Sequence, residues 1–234
     1  MDITSDGDTI ISDYEYDTQG RLESYVQVVY KPTPILSAYS TYTYGDHCII
    51  EKNGNIDYTY YTLNDDGLII QMELREEIDK PSKLEFTYQY ADGRLIAYQD
   101  PDLPLVSNVH WEDGDLMYFG RGEREDERTF FDRTEFTRTQ LSVDHGYMIE
   151  PLGTGDEPLY MMGYYGKPSK HLESHSIRET RNNGSSSFFE FDYTYTLADG
   201  HIVKLVKKRT MKMNVPMINI TSTTTSIYAY EEYQ

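Results

Sequence analysis

A single cysteine, Cys48, excludes any intrachain disulfide in this 234-residue chain. That leaves the compartment open, because many exported proteins carry no disulfide. Long apolar runs are also missing, so neither a transmembrane helix nor a signal-peptide core is written in the sequence. Leu, Ile, Val and Phe together number 50, about 21% of the chain. That is just above the level at which a highly charged chain stays disordered. Positive charge is scarce: 21 Lys and Arg against 40 Asp and Glu leave a formal charge of −19. Such a chain repels phosphate backbones and anionic membranes, which argues against a nucleic-acid partner. No P-loop, no G-x-S-x-G and no G-x-G-x-x-G is present, and no motif calls for a cofactor.

What the chain has instead is tyrosine, 23 residues of it. A tyrosine ring buries a large apolar area while its hydroxyl stays wet, so it can build a core in a polar chain. The tyrosines recur in a phrase. "YEYDTQGRL" (Gly20), "YTYGDHCII" (Gly45), "YYTLNDDGLII" (Gly67), "YQYADGRLI" (Gly93), "HWEDGDLMY" (Gly114) and "YTYTLADGHIV" (Gly200) align on their glycines. Each is an alternating aromatic strand, an Asp-Gly-type turn and an aliphatic strand. The turn residues favour the positive φ of tight hairpins, and period-two alternation puts the rings on one face. The unit is a β-hairpin, which cannot bury its apolar face alone and so repeats. The first five glycines lie 21 to 26 residues apart, which predicts an antiparallel meander over 14–120.

The rhythm breaks after Gly114. "GEREDER" (122–128) reads as a charged turn or loop, and "TGDEPLYMMGYYGKPSKHL" predicts one short helix near 157–164. Its Asp156 can cap, Pro158 fits the first turn and a glycine can end it. Strands are expected at 172–181, 187–196, 201–210 and 217–231, with "NNGS" as a turn. Residues 1–13 read as a flexible acidic segment ahead of a single all-β domain, 14–234.

"YEYDTQGRL" resembles the Tyr-x-Tyr-Asp-x-x-Gly-Arg-Leu unit of Rhs/YD-repeat proteins. The hairpin phrases, the central "LYMMGYYGKPSKHLES" and the terminal "YAYEEY" together resemble an uncharacterised family of exported Bacteroidetes proteins, described as a domain of unknown function with a porin-like fold. The resemblance implies an all-β sheet, curved and either open or barrel-like. It also implies a secreted protein or lipoprotein whose signal, with a possible lipid anchor, lies upstream of Met1. It transfers no catalytic residue.

The residues themselves offer few candidates for chemistry. His171 and His175 have the spacing of a helical zinc pair, but on a strand they stand about 13 Å apart, too far to share one ion easily. The acidic clusters follow turn chemistry and lack the ligand intervals of a calcium loop. His47 and Cys48 are expected on opposite faces of a strand, with the thiol buried. Exposed rings that could stack on a sugar or grip a peptide are the best lead, with Trp111, Tyr164 and Tyr165 as candidates. The leading expectation is a non-enzymatic binding or structural module at the cell envelope, with a glycan or protein ligand. A small outer-membrane barrel and a hydrolase using two carboxylates are the alternatives.

Overall fold

The computed structural model describes residues 2–4, 9–31, 33–54, 57–76, 81–102, 106–121, 131–142, 157–182, 185–198, 201–214 and 217–227. The architecture is all-β. The first half runs through β1 (Asp2–Thr4), β2 (Thr9–Tyr16), β3 (Leu22–Lys31), β4 (Thr33–Gly45), β5 (Cys48–Asn53) and β6 (Asp57–Leu63). It continues with β7 (Ile69–Arg75), β8 (Lys83–Ala91), β9 (Arg94–Gln99), β10 (Ser107–Glu112) and β11 (Asp115–Arg121). After β12 (Phe131–Arg138) comes the helix α1 (Glu157–Met161). The chain then forms β13 (Glu173–Asn182), β14 (Ser185–Ala198), β15 (His201–Asn214) and β16 (Met217–Ile227).

From β2 onward each strand pairs antiparallel with its successor, as the repeated phrases predict. The three-residue β1 pairs with β16 on one side and β2 on the other, which completes a ring. The ring is uneven. Strands β5, β6, β7, β9, β10 and β11 have six or seven residues, whereas β14 and β15 have 14 each.

Two turn chemistries build the hairpins. At Gly20 (φ 75°), Asp17 Oδ1 accepts from the Gln19 and Arg21 amides at 2.9 Å, and Arg21 Nε donates to Asp17 Oδ2 at 2.7 Å. This assigns the Asp and Arg of the Tyr-Asp-x-x-Gly-Arg phrase: they tie the turn from inside. Asn64 does the same ahead of Gly67, accepting from the Asp66 and Leu68 amides. At Asp92-Gly93 and Asp113-Gly114 both residues have positive φ, the two-residue type I′ geometry. Either chemistry delivers an aliphatic residue two positions past the glycine into the core: Leu22, Ile69, Leu95 and Leu116 are all at most 1% exposed. Gly93→Val should therefore lower stability by more than about 1 kcal/mol, because a β-branched residue is strained at φ 74°. Its Cβ would also meet Lys167 Cε at 3.1 Å. An unchanged denaturant midpoint would contradict this turn assignment.

Three expectations need correction. Gly45 is the last residue of β4 and pairs with Cys48, so the turn is Asp46-His47, with His47 in the left-handed region (φ 53°). His47 is thus in the turn rather than on a strand, and Cys48 is half-buried rather than buried. The short helix expected near 157–164 is present as Glu157–Met161, followed by turns at Gly163 and Gly166 (φ 84° and 95°). The segment expected to be flexible supplies β1 and most of β2, because Thr9-Ile10-Ile11 is a β-branched run that pairs with Tyr30, Val29 and Val28. "GEREDER", the two central residues of "NNGS", Gly200 and residues 228–231 lie outside the described residues.

Candidate functional site

Alternating pairing puts the tight turns of β2–β3, β4–β5, β6–β7, β8–β9 and β10–β11 at one end of the sheet. The long connection from Arg138 to Glu173 starts and finishes at that end too, because Arg138 pairs with Glu173. Its residues 157–172 lie across the turns as a strap. Ile69 N donates to Tyr164 O at 2.9 Å, and Lys167 N to Gly93 O at 2.7 Å. Gly166 bridges Arg94. Lys170 N donates to Gly114 O at 3.1 Å, and Leu116 N to Ser169 Oγ at 3.0 Å. The strap thus follows the hairpins in order, using polar backbone groups that the turns leave over.

Three of its apolar side chains point inward, while Met161 is exposed. Leu159 (0% exposed), Tyr160 and Tyr165 join the core cluster made by Leu22, Ile49, Tyr61, Tyr88 and their neighbours from the inner face of the sheet. The Tyr165 ring stacks on Tyr160 at 5.9 Å and meets Tyr88 edge-on at 5.4 Å. The strap is a cork for the turn end.

A charged knot secures its exit. His171 N donates to Asp115 Oδ1 at 2.8 Å, and His171 Nδ1 lies 2.7 Å from Asp115 Oδ2. Arg138 donates through Nη2 and Nε to Leu116 O at 2.6 and 3.0 Å. Burial pushes the Asp115 carboxyl up, but the side-chain and backbone hydrogen bonds from His171 outweigh it, and the net shift is downward. A depressed folded-state pKa contributes stability above the unfolded value, about 3.9, that is lost as pH falls through the folded one. Wild-type stability should therefore fall below about pH 4 more steeply than that of Asp115→Asn. Parallel acid titrations followed by circular dichroism check this, and coincident curves would refute it.

The three aromatic candidates all lie at this end, in different settings. Tyr165 is core, at 2% exposure, and offers no surface to a ligand. Tyr164 is half-buried, its ring 6.3 Å from that of Tyr44. Trp111 is half-buried, donates from Nε1 to Leu95 O at 2.7 Å, and has the Arg94 guanidinium 5.5 Å from its ring. Beside them is an open cleft of about 440 Å³, lined by Asp66, Leu68, Gly93, Gly163, Gly166 and Lys167. Lys167 Nζ donates to Asp92 O at 2.9 Å and is thereby held at its rim.

The histidine pair does not converge: His171 goes to Asp115 and His175 to Asp192. Among the described residues, no group of three His, Cys, Asp or Glu is placed to hold a metal ion. No helix among them is long and apolar enough to cross a membrane, which says nothing of strands.

Residues 14–223 match the family model described as a domain of unknown function (DUF4595) with porin-like fold. The chain belongs to this family. It is similar in fold to a porin-like protein from Bacteroides uniformis, at 17% identity and a TM-score of 0.65, covering 97% of this chain and 96% of that one. A porin-like protein from Bacteroides vulgatus is similar at 14% identity and a TM-score of 0.52, covering 93% and 92%. No curated protein matches the chain.

In this member of the family, one polar feature escaped sequence reasoning. Glu51 is 7% exposed on the inner face and accepts from Tyr61 Oη at 2.8 Å and Ser40 Oγ at 2.7 Å. Among 40 acidic residues nothing local marks it. The only signal is its alternation with Ile49, which places both on the buried face.

Proposed function

We propose that this protein is a non-enzymatic binding or structural module, exported to the cell envelope, whose ligand is a glycan or a protein. The observation that carries the reading is the cork. Leu159, Tyr160 and Tyr165 fill the interior at the turn end, so packed side chains close that end of the ring. The porin-like fold of its family is consistent with an envelope address.

The outer wall argues for water over lipid. Lys204, Lys208 and Lys212 on β15 and Thr221 and Thr223 on β16 are exposed, on two of the longest strands. A lysine facing lipid at mid-bilayer costs about 2–4 kcal/mol, and a crossing strand needs about 9–11 residues, more than β5–β7 or β9–β11 supply. The purified chain should stay in solution without detergent and leave the conductance of a planar bilayer unchanged; channel-like current steps would overturn the reading.

Binding is expected at the turn end, beside the cleft. Trp111→Ala should weaken capture on a glycan array or in a pull-down while the circular dichroism spectrum stays unchanged. Undiminished capture would remove Trp111 from the site.

A further inference from the structure

The densest positive charge of this acidic chain sits on one strand. β15 carries Lys204, Lys207, Lys208, Arg209 and Lys212 and no carboxylate. Pairing sorts them by face. Phe136 pairs with Ser176, which pairs with Phe191, so the β14 face bearing Phe191 and Tyr193 is the inner, core-bearing one. Arg209 pairs with Phe191 and Lys207 with Tyr193, so both cations share that face. Lys204, Lys208 and Lys212 alternate to the outside.

On the inner face the aromatic rings form a ladder. Phe189, Phe191 and Tyr193 stack with centroids 6.5 and 6.4 Å apart and planes 15° and 20° from parallel. The Arg209 guanidinium lies 4.8 Å from the Phe189 centroid, and the Lys207 ammonium 4.5 Å from that of Phe191. Rings hold cations in place without neutralising them. Arg209 is exposed. Among the described residues its side chain contacts the Phe189 ring and donates to the Met211 sulfur at 3.8 Å; no carboxylate pairs with it. On β16, Ser222 stands opposite Arg209 and Thr224 opposite Lys207, so hydroxyls flank the cations.

We infer that this inner wall of β14–β16 binds a carboxylated polysaccharide, with Arg209 taking a carboxylate and Ser222 and Thr224 its hydroxyls. Three observations select this ligand class. The ring faces are already covered by cations, so a neutral sugar has no platform there. A guanidinium fork matches a carboxylate in two parallel hydrogen bonds. β15 is paired on both sides, so it offers no free backbone edge on which an acidic peptide could add as a strand. The inference rests on the binding-module reading and assigns it a second surface, away from Trp111.

Affinity electrophoresis in native gels tests it, with polygalacturonate as the probe and dextran and poly-glutamate as comparators. Polygalacturonate should retard the protein and dextran should not, with poly-glutamate weaker than polygalacturonate. Arg209→Gln should weaken retardation about tenfold or more, the loss expected for one charge-assisted pair. Arg209→Lys should retain part of it, and Lys208→Gln on the outer face should change nothing. Thermal midpoints of the variants establish that the fold is intact, and the partial rescue by lysine stands even if the glutamine variant is less stable. Absence of retardation, equal retardation by poly-glutamate, or equal loss in Lys208→Gln would overturn the inference. A neutral glycan captured on the array, with no dependence on Arg209, would leave the binding-module reading standing while this inference falls. Absence of any ligand on array, pull-down and gel alike would sink both.

Discussion

Replacing Tyr165 with alanine should lower the unfolding free energy by about 3–5 kcal/mol, the cost of deleting a buried ring and leaving its cavity. The ring is 2% exposed and held by Tyr160 and Tyr88. It lies in the strap between β12 and β13, whose described residues have no regular strand pairing beyond a single bridge at Gly166. If the strap were a surface loop, truncating one of its side chains would cost little. Urea unfolding followed by the fluorescence of the single tryptophan, Trp111, reads the change, since Trp111 packs against the same core. Met161→Ala, four residues away and 42% exposed, is the internal comparison and should stay within about 0.5 kcal/mol. Equal, small effects at both positions would mean that the interior at the turn end is not corked.

The sheet was legible in the sequence because its signals are local. A Tyr-x-Tyr run states which face is buried, and an Asp-Gly pair states where the strand reverses. Tyr42, Tyr88 and Tyr193 are buried as their alternation implies. Gly45 misled for an instructive reason. It stands in the phrase where a turn glycine is expected, but Asp46 and His47 follow it, and histidine tolerates the left-handed region well enough to take the turn. Adding a Cβ at Gly45 would press on Cys48 Sγ at 2.7 Å, so a larger residue would crowd its cross-strand partner. The N-terminal strand was missed because acidic residues around Thr9-Ile10-Ile11 outweighed a run of only three β-branched residues.

The candidate site was barely legible. Asp115 and His171 are 56 residues apart, and Leu116 and Ser169 are 53 apart. No periodicity connects them, since they meet only because the strap crosses the turns. Tyr164 and Tyr165 are adjacent and chemically identical, yet one is half-buried beside Tyr44 and the other is core. The turns at Gly163 and Gly166 decide which ring faces in, and that decision is tertiary.

Gly166 carries the second large expected effect. Its φ is 95°, and a Cβ there would stand 2.6 Å from the carbonyl oxygen of Gly93, a backbone atom that cannot step aside without moving the β8–β9 turn. Gly166→Val adds left-handed strain of about 1–3 kcal/mol to that clash. The strap is anchored around this point by the Lys167 amide on Gly93 O and by Lys167 Nζ on Asp92 O. Both anchors require the close approach that the new side chain forbids. The strand ladder itself runs from strand to strand and not through the strap. The expected outcome is therefore selective release. Amides at Lys167 and Lys170 should lose hydrogen-exchange protection by at least tenfold, the equivalent of about 1.4 kcal/mol of local opening. Amides in the middle of β14 and β15, on the far side of the ring, should keep theirs. Uniform loss across strap and strands would show that strap and sheet unfold as one unit, and unchanged protection at Lys167 would show that the glycine's geometry is not what holds the strap down.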